Sequence, residues 1–324
     1  MTSTRTSSEH VSVLFPQQPH DADELRPFAD LVQDGPAARL WMGQSLAVET
    51  HATFSYLAGT GYRIPVGICV ALAALRHPFD AALQARSVAR LMGHAPTIGY
   101  GAADPGFVSR LHGAPYAKPA AFVREYVGAV AALIDGGVPT AGTHFRIAQP
   151  LPPMEAPAVE VGAGVLRPGM AKAAGRTASA AITWMTPPGY VRDVLVPALD
   201  AGADGTRPRP RVVTVVHAAV ARPGRNPMLL AQHSAGNHLR APHYTDMLRR
   251  AGLDVDAADP VSGARELVDE GVYLYGKPGD ITAGLRAYFD AGVDEVILNP
   301  MGVSAVHGPE AGLEDLRDIL AEVG

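Results

Sequence analysis

One cysteine in 324 residues, Cys69, leaves the chain without an internal disulfide or a Cys-rich metal motif. Lysine is nearly as scarce, at Lys118, Lys172 and Lys277 only, and a net charge of -5 excludes nucleic acid as the main partner. No window approaches the apolar run of a membrane span, and residues 1–10 are polar, without the apolar centre of a signal peptide. A cytoplasmic location is therefore expected. Charged residues reach 18% against 47% apolar, a balance that excludes a disordered chain and supplies a sizeable core. Motifs are missing as well. Phe15-Pro16-Gln17 follows the first apolar run where a dinucleotide-binding sheet would carry G-x-G-x-x-G. There is no G-x-S-x-G elbow, and His112, His144, His233, His238 and His243 lack H-E-x-x-H spacing and an acidic cluster, so no metal site is read.

What is present is alternation. Short β-branched or apolar runs at Val11–Phe15, Arg39–Gly43, Ile64–Val70, Pro96–Tyr100, Ala158–Val161, Ala180–Trp184, Arg211–Val220 and Glu295–Leu298 read as strands. Between them lie segments of helical period, among them 78–92, 118–134, 190–201 and 281–291. The runs are too continuous for a half-exposed sheet, so the strands are parallel and covered on both faces. Eight strands alternating with helices predict an α/β fold, a closed (β/α)8 TIM barrel with insertion loops at its carboxyl-end face. Residues 1–10 are expected to fray, and 11–324 to form a single domain. The proline-rich stretch 138–157 has no regular period and reads as a functional loop or lid.

Four stretches carry a resemblance: Gly67–Pro78 (GICVALAALRHP), Gly99–Pro105 (GYGAADP), Leu166–Trp184 (LRPGMAKAAGRTASAAITW) and Tyr275–Leu298. In order and spacing they resemble the luciferase-like flavin- and deazaflavin-dependent oxidoreductases, and the third is most similar to the branch using coenzyme F420. That resemblance implies a cofactor across the carboxyl-end face, its phosphate over Arg167-Pro168-Gly169-Met170 with Arg176 or Lys172 adding charge. Free N–H groups at a helix start suit such an anion. It also implies a non-proline cis peptide around Cys69-Val70-Ala71 behind the ring, and Gly101 and Ala102 beside it.

Asp104 matches a proton-donating glutamate of deazaflavin-dependent sugar-phosphate dehydrogenases, although a cap for the following helix is an equal reading. Gln44 and Ser45 replace that group's aspartate and histidine. Neutral Gln44 orients a carbonyl, imine or cofactor edge but takes no proton, which leans away from alcohol oxidation. His51 is a candidate substitute for the missing base, against a surface or packing role. Tyr100, Trp184 and His217 end strands at the active face, where each lines the pocket or fills a barrel layer. Cys69, His77 and Trp41 read as structural, and Lys277 as a loop lysine or a contact to the cofactor tail.

The resulting expectation is an F420-dependent reductase delivering hydride to a C=C, C=N or C=O group of a small molecule or peptide. Some branches of this kind act in specialised-metabolite tailoring. The alternatives are an FMN-dependent monooxygenase with a partner reductase, and a non-catalytic ligand-binding barrel. A homodimer is expected from the family.

Overall fold

A computed structural model describes residues 11–323; the expected fraying of residues 1–10 lies outside them. Nine parallel strands run β1 (Val11–Leu14), β2 (Leu40–Met42), β3 (Val66–Leu72), β4 (Thr97–Gly101), β5 (Glu160–Gly164), β6 (Ala180–Trp184), β7 (Arg211–Val220), β8 (Leu274–Gly276) and β9 (Glu295–Asn299). Each of β1 to β7 pairs with the next, and β9 pairs with both β7 and β1, which closes an eight-stranded barrel. Those eight are the strands expected from the sequence. The additional strand, β8, pairs only with the overhanging end of β7 at Ala218–Val220.

Around the barrel lie α1 (Arg26–Gln33), α2 (Thr50–Gly59), α3 (Pro78–Met92), α4 (Pro105–His112), α5 (Pro119–Ile134) and α6 (Pro168–Thr177). Next come α7 (Pro188–Tyr190), which runs through a π-turn into α8 (Val196–Ala203), and an inserted trio, α9 (Pro227–Leu239), α10 (Pro242–Arg250) and α11 (Pro260–Asp269). Helices α12 (Pro278–Asp290), α13 (Met301–His307) and α14 (Pro309–Val323) complete the chain. Proline opens most of these helices, where its missing N–H has no partner to lose. No helix among the described residues is long and apolar enough to cross a membrane.

Alternation along the strands separates two cores. Leu14, Trp41, Cys69, Ile182, Val213, Val215 and Ile297 fill the barrel, while the neighbouring strand residues face the helices. Trp41 is the largest interior side chain, and Gly67 on the next strand makes room for its ring. Below it an ionic network seals the amino end. The Glu295 carboxylate accepts from Ser12 Oγ (2.6 Å), Trp41 Nε1 (2.7 Å) and Arg211 (2.9 Å), and Arg211 reaches on to Glu160 (2.7 Å).

Stretch 138–157 is a strap along the outside of α3 and α5. The Glu125 carboxylate accepts the backbone N–H groups of Thr143, His144 and Phe145, and Arg86 donates to the Pro152 carbonyl (2.6 Å). Phe145 packs on Phe122, Tyr126 and His77, so the apex of the strap is pinned beside the helix starts next to the barrel mouth.

A methyl group at Gly67 would overlap the Trp41 ring, whereas one at Gly59 meets nothing within 4 Å. Gly67→Ala is therefore expected to lower unfolding stability by about 1–3 kcal/mol. Gly59→Ala, at the end of α2, should be neutral or stabilise by up to about 1 kcal/mol. Urea unfolding of the two variants against the parent measures the contrast.

Candidate active site

The carboxyl ends of β3, β4 and β5 form one wall of the mouth. The Cys69–Val70 peptide is cis, and the β3–β4 register shifts between Ile68 and Ala71. Val70 thereby turns inward, over strand ends that carry no side chains. A Cβ at Gly99 or Gly101 would come within 2.8 Å of a Val70 methyl, and one at Gly164 within 3.4 Å. Only glycine at 99 and 101 leaves the isopropyl group its place, and the result is an apolar shelf. Cys69 lies beneath it, 4% exposed, and burial pushes its thiol far above the ordinary range. It is a core residue here, not a nucleophile.

The opposite wall is aromatic and imidazole-rich. Trp184 Nε1 donates to His217 Nε2 at 3.1 Å, and His217 lies parallel to Tyr273, with ring centroids 6.2 Å apart. The α9–α10 insertion adds His238, stacked on Trp184 at 5.3 Å, and Tyr244 edge-on to His238 at 4.8 Å. Burial lowers His217 to about 3, with the His238 charge adding to the effect; burial and His243 lower His238 to about 4. Both rings are neutral at physiological pH. Beside His217, in register on β9, Asn299 is 1% exposed, and its Oδ1 accepts from the Met301 N–H at 2.9 Å.

Arg167, Pro168, Gly169 and Met170, expected from the resemblance to lie under a phosphate, start α6, and no side chain caps that helix. A Cβ on Gly169 meets nothing within 4 Å, so the approach is open. Arg167 leans across to Asp246 of α10 (3.4 Å), tying this loop to the insertion. Arg176 is not brought to the loop. It stands exposed in the last turn of α6, about 12 Å further along the axis at 1.5 Å per residue.

Tyr100 corrects another expectation. Gly99 and Gly101 face the barrel, so Tyr100 faces out: it is fully buried, its hydroxyl donates to the Ala81 carbonyl, and its ring packs on Tyr126. It does not line the pocket. Asp104 is exposed and caps α4 by accepting the Phe107 N–H at 3.0 Å. Its charge also acts on His243, opposing the effects of burial and of Arg167. Ala102 is half-buried at the start of the loop that carries Asp104.

Gln44 and His51 belong to a polar group whose other members sequence reasoning missed. Gln44 Oε1 accepts from the Leu72 N–H (3.2 Å) and from Arg76 (3.3 Å), while its amide donates to the Ser45 carbonyl. His51 Nδ1 sits 2.8 Å from Glu49 Oε1 and 3.2 Å from Arg76. Burial alone would raise the Glu49 carboxyl, but His51, the Ala52 N–H and Arg76 bring it down to about 2. The sequence signal for Arg76 was the Arg-His-Pro helix start. Glu49, two residues before His51 and capping α2, gave none. His238 and Tyr244 lay hidden in a helical insertion.

A closed barrel whose carboxyl end carries an apolar shelf on β3 to β5 and an uncapped helix start just beyond β5 suits a cofactor-using barrel enzyme. The sequence profile of the luciferase-like monooxygenase family matches residues 4–295, and the chain belongs to that family of oxidoreductases. No curated protein matches the sequence. Among solved structures, the coenzyme F420-dependent tetrahydromethanopterin reductase from Methanopyrus kandleri is similar with a TM-score of 0.71 at 17% identity, covering 97% of this chain and 98% of that one. An F420-dependent secondary alcohol dehydrogenase in complex with an F420-acetone adduct gives 0.75 at 13% identity, covering 97% and 99%. The oxygenating constituent of 3,6-diketocamphane monooxygenase from Pseudomonas putida, in complex with FMN, gives 0.69 at 15% identity, covering 97% of each chain. These likenesses establish a shared fold.

The buried imidazoles set an acid limit to stability. A ring kept neutral down to about 3 or 4 in the fold takes up its proton near 6.5 once unfolded. The unfolded chain therefore binds more protons between those values, and stability falls as pH drops through the window. Between pH 6 and 5 each imidazole should contribute a slope of roughly 1 kcal/mol per pH unit. His217→Gln, which keeps an acceptor for Trp184, is expected to remove about half of that limb in chemical denaturation.

Proposed function

We propose that the protein is an F420-dependent reductase acting on an unsaturated small molecule or peptide. The observation that carries this reading is the mouth itself: a Val70 shelf over three glycines, faced by the neutral Trp184–His217 wall and opening onto the uncapped start of α6. The residues fit a tricyclic ring with a phosphate tail. Val70, Gly101 and Ala102 would support the ring, and the Gly169 N–H at the start of α6, with Arg167, would hold the phosphate. When bound, reduced deazaflavin supplies hydride from C5.

The chain's own groups favour reduction over alcohol oxidation. Gln44 is neutral and its carbonyl oxygen already accepts two hydrogen bonds. The Nε2 lone pair of His217 is taken by Trp184, and His51 is turned to Glu49 and Arg76. Of these groups only His51 keeps a ring nitrogen that can accept a proton, its buried Nε2, which has no partner among the described residues. In this reading the proton comes from water, with Asp104 at the rim as its relay. The same reading includes a cytoplasmic homodimer without a nucleic-acid or membrane partner.

An FMN monooxygenase is the second reading, favoured by the family match and by the FMN-bound neighbour. Ligand-dependent melting separates them, because a ligand specific to the native state raises apparent stability. F420 at saturating concentration is expected to raise Tm by several degrees and FMN to leave it unchanged; the reverse result overturns the proposal. Gly169→Glu, built into open space, should keep the parent's melting temperature without ligand and weaken F420 binding at least ~10-fold by setting a carboxylate against the phosphate.

A further inference from the structure

At the carboxyl ends of β7 and β9 two neutral side chains are left with donors and no acceptor. Trp184 Nε1–H can only donate, so His217 Nε2, 3.1 Å away, must be the acceptor. That fixes the tautomer: the ring proton of neutral His217 is on Nδ1. Protonating both nitrogens would set two N–H groups against each other at that distance. For Asn299, the Met301 backbone N–H fixes Oδ1 as the acceptor and leaves Nδ2 as the donor. His217 Nδ1 and Asn299 Nδ2 are both buried, and among the described residues no protein group accepts from either. The two residues are direct partners in the β7–β9 ladder. Their strands' preceding inward residues, Val215 and Ile297, line the barrel interior, so alternation turns His217 and Asn299 into the mouth.

A buried donor normally finds an acceptor, and leaving one without costs about 1–3 kcal/mol. Two neighbouring donors that face the same opening define a place for one oxygen atom. Neither group is charged, and no lysine or arginine contacts them, so the place suits a neutral carbonyl and not a phosphate or carboxylate. Around them Tyr273 lies parallel to His217, and Trp184, stacked on His238, meets His217 edge-on.

We infer that His217 Nδ1–H and Asn299 Nδ2–H together receive the carbonyl oxygen of the substrate, which makes an α,β-unsaturated carbonyl compound the substrate class. The inference rests on the reductase reading and deepens it. In such a compound, hydride added to the β-carbon shifts the C=C electron pair so that charge gathers on the carbonyl oxygen. A proton returned to the α-carbon completes the two-electron reduction, with reduced deazaflavin as the reductant. Donors already aimed at that oxygen stabilise the charge as it develops.

The test uses the full chain, with and without oxidised F420, and two probes: cyclohex-2-en-1-one and cyclohexene. The affinity for each probe is measured by equilibrium dialysis and its place by 15N-histidine NMR, the His217 signal being assigned by its loss in His217→Phe. The enone should shift the Nδ1–H resonance downfield and cyclohexene should not. Asn299→Asp keeps the acceptor for Met301 but removes the donor, and His217→Phe keeps the ring against Tyr273. Each is expected to weaken enone binding about 10-fold relative to cyclohexene while leaving F420 affinity unchanged. Absence of enone binding to either form, or equal losses for both probes, overturns the inference. So does a loss of F420 affinity in the two variants, which would assign the donors to a ring carbonyl of the cofactor. Enone binding with the expected losses in a protein that takes no F420 would leave the oxygen site standing and defeat the reductase reading alone.

Discussion

The barrel depends on one buried carboxylate. Glu295, at the start of β9, accepts from Ser12 on β1, Trp41 on β2 and Arg211 on β7, and through Arg211 the network continues to Glu160 on β5 and Thr97 on β4. A charge this deeply placed is tolerable only when paired and hydrogen-bonded, and the loss of a single partner would leave the rest uncompensated. The network also fixes register. A slip of one residue in any of these strands would turn its polar end group out of the barrel. It seats the Trp41 ring as well, and with it the small residue required at Gly67.

Closure at the amino end leaves the carboxyl end free for other tasks. There the polar groups fall into two kinds. Gln44, Glu49, His51 and Arg76 are bonded largely to one another, a pre-set arrangement in which carboxylate, imidazole and guanidinium hold each other in place. His217 and Asn299 are each satisfied on one side and open on the other. Mutual bonding adds rigidity to the first group, in which only the His51 Nε2 is buried without a partner among the described residues, while the second keeps two donors open to a ligand. The mouth combines both, and the rigid group underlies the loop next to the Val70 shelf.

Much of this was legible in the sequence because parallel barrel strands are buried on both faces and announce themselves as continuous apolar runs. Eight such runs gave the barrel, whereas β8 escaped because three residues paired to the overhang of one neighbour have no pattern of their own. The shelf was legible through the glycines of GYGAADP, and Trp184 and His217 through their places at strand ends. Tyr100 misled for a physical reason. Its strand alternates glycine with larger residues, and the inward positions are the ones without side chains, so the one aromatic present belongs to the outer layer. Arg176 misled because a helix start and its last turn are close in sequence and far apart in space. The pairing of His51 with Glu49 and Arg76 crosses two loops, which no local pattern reports.

The electrostatic character of the mouth follows from burial more than from composition. Two histidines in a hydrophobic wall would ordinarily be read as acid–base machinery, since their usual titration lies near neutrality. Here the apolar surroundings of Trp184, Tyr244 and Tyr273 make the charged form costly, and each imidazole remains a neutral hydrogen-bonding group across the physiological range. Nothing on that wall then competes with a hydride acceptor for a proton. On the α6–α10 side the charged groups, Arg167, Asp104 and Asp246, stand at the rim, where water screens them, and the buried Arg76 side chain is paired with Glu49 beside Gln44. A neutral, donor-lined wall favours polarisation of a double bond, and the chain reaches that state by placing its histidines under aromatic cover.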